Sequence, residues 1–142
     1  MKCQESQTRV QFAVALVMLL AATMLLFVSG CSKSVTKTTE KGVFQVKIIG
    51  KGKIIRYGRN EVMLKVADEK GEGVEGATIE ITPWMPEHGH GAPWPPVVTE
   101  QGHGTYKAVF PIIMLGNWEL KIRIKKDNRE DTALFIFPDV KK

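Results

Sequence analysis

From Val43 onward the apolar residues recur at every second position, and this alternation limits the fold more than any other feature of the chain. Val62, Leu64 and Val66 alternate with Met63 and Lys65. Ile79 and Ile81 alternate with Thr78, Glu80 and Thr82, and Leu120, Ile122 and Ile124 alternate with Lys121, Arg123 and Lys125. Successive side chains of an extended chain point to opposite faces, so each run predicts a strand with one dry face and one wet face. Val43–Ile49 and Thr132–Phe137 qualify on β-branched and aromatic content, Gly104–Phe110 completes the set, and Val97–Glu100 predicts a further short strand. Turn chemistry separates them: Gly50-Lys51-Gly52, Tyr57-Gly58-Arg59-Asn60, Asp68 to Gly73, Gly102-His103-Gly104 and Lys126 to Arg129. The part of the chain after residue 31 has no amphipathic helical pattern. About seven short strands at regular spacing predict an all-β fold, an immunoglobulin-like antiparallel β-sandwich.

The N-terminus obeys different rules. Residues 1–11 are polar and carry Lys2 and Arg9, and Phe12 to Phe27 then runs without a charge. A basic start before an apolar run of this length is the pattern of a secretory signal, and the run is short for a spanning helix, which takes about 20 apolar residues. Val28-Ser29-Gly30-Cys31 follows and matches the lipobox of bacterial lipoproteins. Small residues let the extended backbone enter a peptidase cleft, and the thiol of Cys31 is the nucleophile that takes up the lipid. Residues 1–30 are therefore expected to be removed, with Cys31 lipidated and holding the protein on the extracytoplasmic side of a bacterial membrane. Ser32 in place of Asp after that cysteine favours the outer membrane in a cell that has two. Residues 31–42, small, polar and basic, read as a flexible tether, and 43–142 as the folded domain. The only other cysteine, Cys3, leaves with the signal, so the domain is expected to stand without a disulfide.

The chain carries 20 Lys and Arg against 15 Asp and Glu, and the excess is spread along strands such as Lys121-Ile122-Arg123-Ile124-Lys125. That is how a sheet with one wet face looks, and it predicts no nucleic-acid partner. Catalytic signatures are missing: there is no Gly-x-Ser-x-Gly elbow, no phosphate-binding glycine loop and no free nucleophilic cysteine. Glu61, Glu80 and Glu119 fall at strand positions expected to face solvent, where nothing pairs them into an acid/base couple. The expectation is a binding module, not an enzyme.

One segment breaks the alternation: residues 83–96, Pro-Trp-Met-Pro-Glu-His-Gly-His-Gly-Ala-Pro-Trp-Pro-Pro. Its prolines argue against a helix or a regular ladder. All three histidines, His88, His90 and His103, lie in or just beyond it, with Trp84 and Trp94. His88 and His90 are two apart, so on an extended segment they project to one side and can reach one ion. His103 precedes the next strand, and Met85 and Met114 add thioethers. Imidazole with thioether suits copper, and Cu(I) as the share of sulfur rises; Glu87 is the carboxylate placed to orient an imidazole. A plainer reading stands beside this one. Methionines fill core gaps, histidines hold a loop by hydrogen bonds, and Trp84, Trp94 and Trp118 pack. A third class is a metal-free interaction module that docks a partner through Trp84 and Trp94.

Several of these runs together resemble the YtkA-like domains, small exported or membrane-anchored β-sandwich modules related to the FixH-like proteins of cytochrome oxidase assembly. The residues that carry the resemblance are Gly58-Arg59-Asn60-Glu61-Val62, Asp68 through Gly76-Ala77-Thr78-Ile79, and Met85-Pro86-Glu87-His88-Gly89-His90-Gly91. Gly104-Thr105-Tyr106 and Met114-Leu115-Gly116-Asn117-Trp118-Glu119-Leu120 complete it. It covers roughly Phe44 to Ile124. It implies an extracytoplasmic domain linked to copper handling or oxidase maturation, with an oxidase or its assembly factors as partner. Carried over by position it singles out Met85, His88, His90 and Met114; His103 is added on position alone. The chain departs from dedicated periplasmic copper chaperones, because it lacks their His-x-Met pair near the C-terminus.

Overall fold

The computed structural model describes residues 32–142; the signal, the lipobox and Cys31 lie outside the described residues. Nine strands form two antiparallel sheets. They are β1 (Ser32–Thr38), β2 (Phe44–Lys51), β3 (Gly58–Asp68), β4 (Thr78–Met85), β5 (His90–Gly91), β6 (Val97–Gly102), β7 (Thr105–Ile112), β8 (Gly116–Lys126) and β9 (Arg129–Val140). One sheet has the order β1-β2-β3-β7-β6 and the other β5-β4-β8-β9. With β2, β3, β7 and β6 as strands A, B, E and D, and β4, β8 and β9 as C, F and G, this is the immunoglobulin-like order. The expected strands are all present, most of them longer than their apolar runs, and β1 and β5 are additional. The described residues contain no cysteine.

The alternation explains the core. Phe44, Val46 and Ile48 of β2, Val62, Leu64 and Val66 of β3, and Tyr106, Ala108, Phe110 and Ile112 of β7 face inward from one sheet. Ile79, Ile81 and Met85 of β4, Trp118, Leu120, Ile122 and Ile124 of β8, and Ala133 and Phe135 of β9 meet them from the other. A one-residue slip in any of these strands would move its whole apolar set into water, so the pattern specifies the register as well as the strand.

Residues 32–38, expected to be part of a flexible tether, form an edge strand instead. Each of the seven pairs with β2, from Ser32↔Lys51 to Thr38↔Gln45. Only Val35 is partly buried, so no alternation marks the strand; backbone pairing holds it, and Lys33 and Lys37 keep its open edge charged. The hairpin into β2 is fixed by Thr39, whose buried hydroxyl donates to Phe44 O and accepts from Phe44 N, and by Asp131 of β9. The Asp131 carboxylate accepts from the N–H groups of Lys41, Val43 and Thr132 at 3.0, 3.2 and 2.8 Å. Burial works to raise the Asp131 pKa, but these bonds and the Thr39 hydroxyl hold it below the usual carboxylate value.

The register gives the sandwich two distinct ends. Ser32, Lys51, Gly58, Met85, Ile112, Gly116 and Val140 lie at one, called the near end because β1 starts there. Thr38, Phe44, Asp68, Thr78, Thr105 and Lys126 lie at the other, the far end. Bonds between the sheets agree: Tyr57 N donates to Lys141 O at the near end, and Glu40 N to Thr132 O at the far end.

Candidate functional site

The histidine segment is a hairpin at the near end. Ladder pairing continues into it, Trp84↔Gly91 and Met85↔His90, where the prolines led us to expect none. Pro83 is tolerated inside β4 because β5 is two residues long and leaves β4 an edge there. Gly91 allows the close approach: a Cβ on it would lie 2.7 Å from Pro83 O. The turn between the strands is closed by Met85 O, which accepts from His88 N at 3.2 Å and Gly89 N at 3.0 Å, with Gly89 at φ +66°.

This turn brings the two imidazoles together. The His88 and His90 ring centroids lie 5.8 Å apart, with the rings edge to face at 63°. An ion about 2.0 Å from a ring nitrogen sits ~3.2 Å from that ring's centre, so two rings on one ion can be at most ~6.4 Å apart. The observed spacing meets that limit. His90 Nδ1 is 3.1 Å from Gly91 O; a carbonyl only accepts, so Nδ1 carries the proton and Nε2 is left as a lone-pair donor.

Met114 lies at the same end, in the connection from β7 to β8, half-buried against the core. Its backbone is held by the indole of the fully buried Trp118, which donates from Nε1 to Met114 O at 3.0 Å. Trp118 is thus a packing residue with its N–H satisfied locally.

Three expected participants have side chains committed elsewhere. Met85 is 1% exposed in the core, with its methyl group against Gly116, because its position continues the inward face of β4. Glu87 does not orient an imidazole: its Oε1 accepts from Asn117 Nδ2 at 2.6 Å, and Asn117 Oδ1 in turn accepts from Asp139 N. His103 is at the far end, in the β6–β7 turn, with a fully exposed side chain 3.5 Å from Glu75. Eight residues of β7 separate that turn from Met114, about 25 Å at strand rise. Of the five donors expected from sequence, His88, His90 and Met114 are the ones that share the near end outside the buried core. No three His, Cys, Asp or Glu side chains converge on a metal position among the described residues.

Trp84 and Trp94 flank the hairpin, and both stand in water. Trp84 is on the outer face of β4 and covers Gly91, and Trp94, in the loop between β5 and β6, is 63% exposed. The near end also holds residues the sequence reading passed over. Tyr57, Ile113 and Leu115 are exposed there, as are Lys51, Lys53, Arg56 and Arg59 around the β2–β3 loop. Their signal was an apolar pair and a basic cluster on loops, where alternation does not explain them. Asn60 shapes that loop from the inside: its buried amide accepts from Arg56 N and donates to Arg56 O and Gly58 O.

The two sheets and this hairpin define an immunoglobulin-like module that is free of disulfides in its described part and gathers two imidazoles and two exposed indoles at one end. Residues 38–123 match the YtkA-like family, and the chain belongs to it. The matched span takes in the hairpin, Met114 and most of β8, and leaves β9 outside. No curated protein sequence matches the chain significantly.

Proposed function

We propose that this protein is a lipid-anchored extracytoplasmic module that binds copper through His88 and His90, with Met114 as the neighbouring thioether. The observation that carries the reading is the histidine pair: two imidazoles at a spacing one ion can bridge, one of them with Nδ1 occupied by a backbone carbonyl and Nε2 free. The donor chemistry selects the metal. Zinc sites take three or four protein ligands, commonly thiolate, imidazole and carboxylate, and this end supplies two imidazoles and a thioether. Thioether sulfur favours Cu(I). Bound there, copper would supply a charge and a ligand-exchange centre at an exposed hairpin, which suits buffering or delivery beside a respiratory membrane complex better than turnover.

The test is a copper titration of residues 32–142, a compact unit with its own core, beside a His88→Ala/His90→Ala variant. One-to-one Cu(I) uptake against a competing chelator, lost in the variant with circular dichroism unchanged, is the expected result. Equal uptake by both proteins, or none by either, sinks the metal reading. Lipidation is tested separately by the mass of the mature protein from cells, wild type against Cys31→Ala.

A second reading is favoured by the exposure of Trp84 and Trp94: a metal-free module that docks a partner protein through its indoles. A partner lost on Trp94→Ala and indifferent to chelator would support it.

A further inference from the structure

Charge and apolar surface divide between the two ends of the sandwich. At the far end the turns carry Glu40, Glu69, Glu72, Glu75 and Asp127 against Lys41 and Lys70, and the adjoining strand ends add Asp68 and Glu130 against Lys37, Lys125, Lys126 and Arg129, so the two signs nearly balance. At the near end the loops and the C-terminus carry Lys53, Arg56, Lys141 and Lys142 against Glu87, and the adjoining strand ends add Lys33, Lys51 and Arg59. Asp139, another acid of this end, is paired with Lys141 at 2.6 Å, and Glu61, further along β3, with Lys107 at 3.0 Å. Two recesses open among these bases. One, of about 370 Å³, runs between Lys33 and Lys53 on one side and Phe137 to Lys141 on the other. The second, about 420 Å³, is lined by Lys51, Lys53, Arg56 and Arg59 together with Glu61.

The exposed large apolar side chains follow the bases. Tyr57, Trp94, Val97, Ile113 and Leu115 sit in or beside the near-end loops, and Trp84 and Ile136 continue the surface onto the outer face of the second sheet. Among the described residues, none of the large exposed apolar side chains is on a far-end turn. Indole and phenol rings beside lysine and arginine form the composition that settles at the headgroup level of a bilayer. A second copy of this chain would set like charges against each other.

The chain itself points to the occupant. Ser32 is at the near end, so the peptide bond to Cys31 leaves from the same tip, within about 3.8 Å. Pairing of β1 along its whole length leaves no slack between that cysteine and the sandwich. We propose that the near end is a membrane-docking face: the domain lies with Tyr57, Trp94, Ile113 and Leu115 at the headgroup level of the membrane that carries its lipid. Lys51, Lys53, Arg56 and Arg59 meet anionic lipid phosphates there. This rests on the reading of Cys31 as the lipid attachment site. The far end, which lacks the basic excess of the near end, points away from the anionic surface. The histidine hairpin is thereby held against the bilayer, within reach of a protein embedded in it.

The experiment separates this inference from lipidation itself. Residues 31–142 contain a single cysteine, Cys31, which can be coupled to a maleimide lipid whether or not the cell acylates it. The tethered domain is placed on vesicles of phosphatidylcholine with about one third phosphatidylglycerol, and its tryptophan emission is quenched with brominated lipids. Quenching that is lost in Trp94→Phe is expected, with none from a far-end reporter, Glu72→Trp in a Trp84→Phe/Trp94→Phe background. Untethered residues 32–142 should partition onto these vesicles and less onto pure phosphatidylcholine, weakening about fivefold for each base removed from Lys51, Lys53 and Arg56. Trp94 as open to aqueous acrylamide on the vesicle as in solution would overturn the proposal. So would a dimer in sedimentation that shields Trp94 without vesicle binding, which would assign the surface to a second copy. A mature protein from cells with no lipid on Cys31 would remove the anchor and leave the vesicle result to stand or fall alone.

Discussion

At the far end of the sandwich, polar groups are buried and hold turns; at the near end, apolar and basic groups stand in solvent. Asp131 gathers three backbone N–H groups, and the Tyr106 hydroxyl accepts from Ala77 N at 3.0 Å and donates to Val74 O at 2.7 Å. Each ties one sheet, or the loop leaving it, to the other. At the near end two such clamps, Asn60 on the β2–β3 loop and the Trp118 indole on Met114 O, set the connections, while Trp94 and Leu115 stand in solvent. Side chains buried with satisfied partners serve stability, whereas exposed indoles and imidazoles on a rigid frame are available to something else. The contrast gives the far end the groups that maintain the fold and leaves the near end exposed for the contacts proposed for it.

The largest effect expected separates the histidines. His88→Ala/His90→Ala should weaken Cu(I) binding by about a hundredfold or more, and His103→Ala should leave it within twofold, since losing one tight ligand already costs at least tenfold. A competition titration reads both. A hundredfold loss from His103→Ala would erase the distinction between the ends.

Next is Asp131→Asn, which keeps the shape, removes the charge and turns an N–H group toward N–H donors. The expected loss is about 2–3 kcal/mol at neutral pH, measured by chemical denaturation. The pH dependence has a definite sign. The folded-state pKa is depressed, so the contribution is complete above the unfolded value of about 4 and disappears as pH falls through the folded value. The gap between wild type and variant should therefore narrow below pH ~4. A gap that widens in acid would mean the carboxylate is not the group that holds the hairpin.

Tyr106→Phe should cost about 1–2 kcal/mol, because Ala77 N loses its acceptor in a part-buried site. Burial raises the phenol's pKa, so the wild-type hydroxyl stays protonated through the ordinary range and the loss should be flat in pH from 5 to 9.

The same division accounts for what could be read from sequence. Strands β3, β4 and β8 were legible because each buries alternate side chains and exposes the rest, and that periodicity is written in residue types. Strand β1 was not, since it buries only Val35 and is held by main-chain bonds that any sequence can make. The histidine hairpin was legible by composition, yet the membership of the site was not. Whether Met85 faces inward depends on where β4 ends, and sequence proximity of His103 to His90 says nothing about a chain that traverses β6 between them. The basic, aromatic near end was invisible for a related reason: Tyr57, Trp94 and Leu115 are far apart in the chain, and only the register brings them to one tip.

The smallest effect concerns the far-end turn that carries His103. Its backbone is in the left-handed region at φ 51°, between Gly102 at +87° and Gly104 at +66°. The glycines set the turn. A Cβ on Gly104 would lie 2.5 Å from Val66 O and 2.6 Å from Gly73 Cα, whereas the His103 side chain projects into water beside Glu75. An exposed pair of this kind adds nothing measurable to stability, and a side chain at positive φ is mildly strained. His103→Gly should therefore leave the melting temperature unchanged or raise it slightly, while His103→Val, β-branched at positive φ, should lower it. If His103→Gly instead melts several degrees lower, the far end depends on an exposed side chain, and its assignment as the purely structural end is wrong.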